Sequence, residues 1–495
     1  MPCRGFCRIF LILCATVLAL LFVPALVAAD VPTGYQEYYV LGNEEHAWRA
    51  FLDIYDGAES DIPGNICSTV SLVATANHQV VYYDHWEDGY EPDPLHPVQT
   101  TTEIYTLTVG DTLLLNSTEI TGPTINRYIT VTNGRDPEHI RYDSGDRIIT
   151  SGGPVALAHA LWPFGRSWVG GAWEVYSRQA YANMYSYNIP VGEDLYTLGG
   201  GNNGIFGDFR DVFANLSAYE NNTTISIDNG TGTKVNLTLD RGQAYSSMGY
   251  INSSPAPQIT INAGTTIHTN KPIQVGLITG ADSIAGFQGR FFVLLPDQQW
   301  GADYVIPVPA GYSTALDPDR PVPAEIYLFN PNNFPITINA YDAVTQTSFV
   351  LNASSEAGAT VPYSQKRGSY IPQDSAARFT SSDGVFGALV AADTSEMSYD
   401  WGFSGIPTKY LTEDYYVSWA PGTTDLSANG SPVWVTPVAD ETTFFVDFGP
   451  LDGEVDVTFT INALEQYKIF DLSDNDNTGM HILSLIHISE PTRPY

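Results

Sequence analysis

Apolar and polar residues alternate along most of the chain, in runs too short for amphipathic helices. The stretches 80–83, 103–109, 224–227, 234–239, 336–339 and 456–461 are rich in Thr, Val, Ile and Tyr and tend to alternate apolar with polar residues. That period of two predicts half-buried β-strands. Turn-forming clusters at 228–232 and 330–333 interrupt them at the spacing of β-sandwich domains. A helical period shows in one place near the start, over 43–55, where Trp48, Phe51, Leu52 and Tyr55 recur at three- and four-residue steps behind Asn43, a cap residue. The pattern therefore predicts an all-β protein of tandem β-sandwich modules with a short α-containing N-terminal segment.

Repetition of landmarks sets the number of modules. Pro154-Val155 returns as Pro272-Ile273, 118 residues on, and Pro190-Val191 returns as Pro307-Val308, 117 residues on. The block 221–227 matches 332–338 and then 440–446, with a weaker copy at 77–83. Order is kept while spacing drifts, as in duplicated domains with variable loops. Four units of roughly 110 residues fit, each long enough to fold alone. The division expected from these landmarks is 30–145, 146–258, 259–370 and 371–482.

These same landmarks carry a resemblance. The segments TTIHTNKPIQV at 265–275 and GRFFVLLPDQQWGADYVIPV at 289–308, followed by 325–331 and 335–338, resemble the IgGFc-binding-protein N-terminal type of repeat found in large secreted and surface proteins. The segment 80–90 together with 142–146 resembles the opening portion of very long bacterial extracellular repeat proteins, which are adhesin-like. The resemblance implies a β-sandwich build and no catalytic residue. The binding activity in that family's name belongs to few members and is not carried to this chain.

Both ends are set aside before any fold argument. Residues 1–29 have the layout of a secretory signal peptide: Arg4 and Arg8, an apolar run over 9–23, and small residues before Asp30. The run is shorter than a spanning helix needs, and no later stretch approaches that length, so no transmembrane segment is expected in the mature chain. Residues 483–495 resemble the translation of a sequencing adapter read into the end of a contig. The expectation is that the native sequence continues differently beyond about Ile482, so that a C-terminal continuation is missing.

Composition then narrows the class. Among 495 residues, 55 are acidic and 21 basic, a formal charge of −34, which becomes −36 without Arg4 and Arg8. Nucleic acid is excluded as a partner, because phosphate contacts are made by clustered Lys and Arg. Of the four cysteines, Cys3, Cys7 and Cys14 fall in the signal segment. Cys67 is left alone in an apolar run and is expected to be a buried small residue; the mature chain has no intrachain disulfide and must be held by its cores.

Candidate chemistry is sparse. Gly199, Gly201 and Gly204 match G-x-G-x-x-G, yet no helical period follows, so a loop is expected there. Asp84, Glu87, Asp88, Glu91 and Asp93 place five carboxylates within ten residues at a loop leaving a strand. Such charges repel unless a cation sits among them. Ca²⁺, which takes six to eight oxygen ligands, is the functional reading; a solvated acidic loop anchored by Trp86 is the other. Asp474 and Asp476 alternate with Asn ahead of Gly479, as in the first half of a Ca²⁺ loop, or as in a plain turn. Trp162, Trp168 and Trp173 share one Gly-rich connection, where rings stack on sugars or anchor a partner if exposed, and pack into a core if not. The sequence thus points to a secreted or cell-surface structural or adhesive protein with no catalysis, its partner an extracellular protein or glycan. The alternative is a carbohydrate-binding or glycan-processing protein.

Overall fold

The computed structural model describes residues 32–54, 64–117, 129–130, 137–164, 170–199, 205–283, 286–308, 324–372, 375–392, 401–422, 432–451 and 453–486. Residues 1–29, read above as a signal peptide, and residues 487–495 lie outside them.

The first unit runs β1 (Tyr35–Tyr39), α1 (Glu44–Ile54), β2 (Asn65–Ala74), β3 (Gln79–Asp84), β4 (Glu103–Leu107), β5 (Thr112–Asn116), β6 (Arg147–Ser151), β7 (Val155–Pro163) and β8 (Gly171–Glu174). Its strands form two antiparallel sheets, in the orders β1-β6-β3-β4 and β5-β2-β7-β8. The second unit has β9 (Ser186–Asn188), α2 (Glu193–Gly199), β10 (Asp211–Ala218), β11 (Thr223–Asp228), β12 (Lys234–Leu239), β13 (Ala244–Ser246), β14 (Thr266–Thr269), β15 (Ile273–Ser283) and β16 (Gly286–Leu294). The same two orders recur, β9-β14-β11-β12 and β13-β10-β15-β16, with two short strands added beyond β13.

The third unit repeats them again. It comprises β17 (Asp303–Val308), β18 (Ala324–Phe329), β19 (Ile336–Asp342), β20 (Gln346–Leu351), β21 (Thr360–Pro362), α3 (Tyr363–Arg367), β22 (Ser375–Thr380), β23 (Gly387–Ala392) and β24 (Trp401–Ser404). Its sheets are β17-β22-β19-β20 and β21-β18-β23-β24. In the fourth, β25 (Asp414–Tyr416), β26 (Val433–Val435), β27 (Thr442–Asp447), β28 (Val457–Ile461), β29 (Tyr467–Ile469) and β30 (His481–Ile486) take the first six positions of that plan, as β25-β30-β27-β28 and β26-β29. β30 runs through Ile486, four residues into the stretch set aside as non-native, and pairs there with β27.

The fold is therefore all-β and multi-sandwich, but the expected division falls in the wrong places. Residues 147–163, 266–294 and 375–404 belong to the first, second and third sandwiches, not to the units that follow them. Pro154 and Pro272 mark the turn between the sixth and seventh strands of a unit, so boundaries drawn beside them cut through both sheets.

Alternation sets the packing. β19 buries every second residue, and β12 leaves Lys234, Asn236 and Thr238 outside while Val235 and Leu239 face in. α1 is capped as its sequence predicts, with Asn43 Oδ1 accepting the backbone N–H groups of Glu45 at 3.1 Å and His46 at 3.2 Å. It presses Ala47, Ala50, Phe51 and Ile54 into a core that also holds Phe213, Ile278 and Phe291 of the second unit. The second core likewise takes in Tyr327, Leu389 and Ala391 of the third. The first three units share apolar interiors rather than hanging on linkers, while the fourth has a core of its own. Trp401 stacks on Trp434 between the third and fourth units, at 5.9 Å. The fourth then meets the first, where Ser71 Oγ donates to the Ser418 carbonyl at 2.6 Å.

One buried acid in the third unit gives a measurable signature. Glu325 on β18 is 6 % exposed, and its Oε1 accepts the N–H groups of Ile326 and Ser364, each at 3.0 Å, while Ser364 Oγ donates to Oε2. Burial pushes its carboxyl up to about 7, against the pull of those donors. The folded chain holds this proton more tightly than the unfolded one. Its contribution to stability is therefore full below about pH 4.5 and is lost as pH rises through about 7, a swing of roughly 3 kcal/mol. In Glu325→Gln one amide oxygen still takes both N–H donors. We expect the difference in unfolding free energy between variant and wild type to grow in the variant's favour from pH 5 to pH 8. A flat difference would show that Glu325 titrates normally.

Candidate functional site

The acidic loop does not gather its five carboxylates. Asp84 ends β3 directly opposite Arg147, the first residue of β6. The Arg147 guanidinium donates to Asp84 Oδ2 from Nε at 3.0 Å and lies 2.7 Å away at its Nη2, which also donates to the Glu91 carbonyl at 2.8 Å. Burial pushes Asp84 up to about 6, with Arg147 pulling the other way. Glu91 Oε1 accepts the N–H groups of Val98 at 2.7 Å and Gln99 at 2.5 Å. Asp88 accepts the Thr101 hydroxyl at 2.5 Å, and the exposed Asp93 pairs with His96 at 2.9 Å. Four of the five are thus spent on separate partners, so their side chains do not converge as the Ca²⁺ reading of their spacing would require. A carboxylate satisfied by a cross-strand guanidinium or by loop N–H groups needs no cation.

Of the five, Glu87 joins a buried cluster assembled from distant segments. A ring nitrogen of His85 and carboxylate oxygens of Glu87 and Asp146 lie within 4.8 Å of one another, all three residues buried. Asp146 is the hub. It accepts the Tyr83 hydroxyl at 2.8 Å and the N–H groups of Asp143 at 3.0 Å and Trp86 at 3.1 Å, with His85 Nδ1 at 3.5 Å. His85 Nδ1 sits 2.7 Å from the Arg141 carbonyl, and the Arg141 N–H donates to Glu87 Oε1 at 2.8 Å. Trp86 Nε1 donates to Asp143 at 2.8 Å, so the expected anchoring role of Trp86 is realised through a carboxylate. His85 Nε2 and Glu87 Oε2 are buried with no partner.

Charge in this cluster is unbalanced. Asp143 is held well above the carboxylate range, first by burial and then by the neighbouring Glu87, Glu44 and Asp146; Glu87 is raised for the same reasons. Burial lowers the His85 imidazole, but Asp146 and Glu87 outweigh it and carry it up to about 9. Among the described residues, no Lys or Arg side chain pairs with Glu44, Glu87, Asp143 or Asp146.

Beside it lies a Ser, His and Glu group. Ser68 Oγ is 2.7 Å from His159 Nε2, and Glu44 Oε1 is 3.8 Å from the same nitrogen. A hydrolytic triad needs the acid on the other ring nitrogen, and there Nδ1 donates to the Leu41 carbonyl at 2.7 Å. Ser68 and His159 are also sealed, at 1 % and 0 % exposure. Burial lowers the His159 pKa despite Glu44, which keeps the ring neutral and the group a structural tie.

The aromatic connection is corrected as well. Trp162 lies on β7 and stacks on Trp419 of the fourth unit at 6.4 Å. Trp173 lies on β8, 1 % exposed, 4.7 Å from Phe291 of the second. Both rings fill seams between units, because strand alternation points them inward. Trp168 lies outside the described residues. Asp474 and Asp476 each accept the N–H two residues ahead, at 2.9 Å, in consecutive turns that dock Gly479 on Thr112. They form the turns of the plain-turn alternative, and the cluster of metal-ligating groups found among the described residues does not include them. Cys67 is buried as expected, and burial pushes its thiol up to about 11. α2 ends at Gly199 rather than starting after the glycines, against a dinucleotide turn.

No family model matches the chain, so the resemblance to IgGFc-binding-type repeats rests on its landmarks alone. No curated protein matches it. Among solved structures, one described as "Ca2+-stabilized adhesin helps an Antarctic bacterium reach out and bind ice" is 12 % identical, over 83 % of this chain and 86 % of that one. Its TM-score is 0.10, an overlap that supports no argument about this chain. No helix among the described residues is long and apolar enough to cross a membrane.

Proposed function

We propose that this chain is a structural or adhesive protein of the cell surface or extracellular space, which spaces and displays loops on a stack of docked sandwiches and performs no catalysis. The observation that supports it most is the thrice-repeated eight-strand plan with cores continuous from unit to unit. Such continuity makes a stiff scaffold, because opening any seam exposes apolar surface at about 25 cal/mol per Å². The charge of −34 suits display in water. The carbohydrate-binding alternative is disfavoured, because two of its three candidate rings are buried in seams.

Beads coated with the folded chain are expected to be retained on protein-coated or cell surfaces more strongly than beads coated with the same chain after heat unfolding. Equal retention would refute the adhesive reading. Glycan arrays are expected to stay blank, and a saturable sugar signal would revive the alternative.

A further inference from the structure

We propose that His85, Glu87 and Asp146 form a binding site for one divalent first-row transition ion of the Zn²⁺ or Mn²⁺ kind, a structural staple inside the first sandwich. Three observations converge on it. Their candidate donor atoms lie within 4.8 Å of one another. Donors at about 2.0–2.2 Å from a tetrahedral ion stand roughly 3.3–3.6 Å apart, so the three groups would draw together by about 1 Å on binding. Two polar atoms of these residues, His85 Nε2 and Glu87 Oε2, have no hydrogen-bond partner among the described residues, although the residues are only 1 % and 5 % exposed. A buried polar group left unsatisfied is costly and calls for a ligand. Finally, among the described residues no Lys or Arg side chain pairs with Glu44, Glu87, Asp143 or Asp146 to neutralise them.

The donor set selects the ion. Imidazole with carboxylates suits Zn²⁺, Mn²⁺ or Fe²⁺, whereas Ca²⁺ prefers an all-oxygen shell. The Arg141 carbonyl beside Nδ1 and the Arg141 N–H on Glu87 are the outer contacts that orient metal-binding His and carboxylate groups. An ion here would tie the loop after β3 to the turn before β6, 61 residues apart in sequence and adjacent to the N-terminus of α1. This site shares only Glu87 with the five-carboxylate run and does not depend on the adhesive reading.

The full chain, purified without a metal-affinity step and stripped with EDTA, is titrated separately with ZnCl₂, MnCl₂ and CaCl₂ by calorimetry and by thermal melt. Zn²⁺ or Mn²⁺ is expected to bind at one equivalent and raise Tm by about 3 °C or more at a hundredfold excess over Kd. Glu87→Gln keeps the size of the side chain and removes the ligand charge; it is expected to abolish that equivalent. Co²⁺ added to the wild type should give visible d–d absorption, a readout that needs no variant to fold. Absence of stoichiometric Zn²⁺ and Mn²⁺ binding, unchanged binding in Glu87→Gln, or binding of Ca²⁺ in preference to both overturns the site.

Discussion

Trp173→Ala is expected to lower the unfolding free energy by about 3–5 kcal/mol, among the largest losses a single truncation produces. The ring is 1 % exposed, on the last strand of the first sandwich, yet it also packs against the second. It lies 4.7 Å from Phe291 on β16 and donates from Nε1 to the Leu277 carbonyl on β15 at 3.3 Å. Two glycines make room for it. A Cβ on Gly276 would come within 2.8 Å of its Nε1, and one on Gly42, at φ +109, within 2.7 Å of its Cζ3. Such a ring cannot be replaced by collapse of rigid sheets, so Ala leaves a cavity at the seam. We therefore expect the melt of the variant to broaden or split as the first two units uncouple, and Trp173→Phe to lose less. A loss below about 1 kcal/mol with a single sharp transition would show that the seam carries little of the stability.

That residue also shows where sequence stops informing structure. Alternation made the strands legible, because a half-buried strand writes its two faces into every second residue: β12 coincides with the run at 234–239, and β3 and β19 contain those at 80–83 and 336–339. Asn43 was legible as a cap, since its role is local. The sandwich boundaries were not. A repeat fixes a period and leaves its phase free, and the Pro154 and Pro272 landmarks sit on an internal turn. A Gly-rich sequence around Trp162 and Trp173 reads as a loop, while β7 and β8 turn both rings into seams formed by residues more than a hundred positions away. The acidic run failed for the same reason. Spacing within ten residues says nothing of Arg147 or Asp146, which the pairing of β3 with β6 brings to Asp84 and His85. The only hint was the segment 142–146, singled out for its resemblance rather than for its chemistry.

Arg147→Met tests that pairing and is expected to cost about 3–5 kcal/mol near pH 8, because it strands ionised partners in the interior. Arg147 is 2 % exposed, bonded to Asp84 and to the Glu91 carbonyl, 4.0 Å from Glu37 and 5.4 Å from the centre of the Tyr90 ring. The cost lies less in the lost attraction than in the carboxylate left behind. Asp84 already sits at about 6 with the guanidinium in place, since burial outweighs it. Without Arg147 that carboxyl must rise further, and the variant should recover stability as pH falls toward 5 and the carboxyl takes up its proton. Asp84→Asn made in the Arg147→Met background removes the stranded charge and should restore a large part of the loss. Urea unfolding of wild type, both single variants and the double variant, at pH 5 and pH 8, gives the coupling directly. Additive single losses, or an Arg147→Met penalty independent of pH, would mean that Asp84 finds another cation or water once the guanidinium is gone.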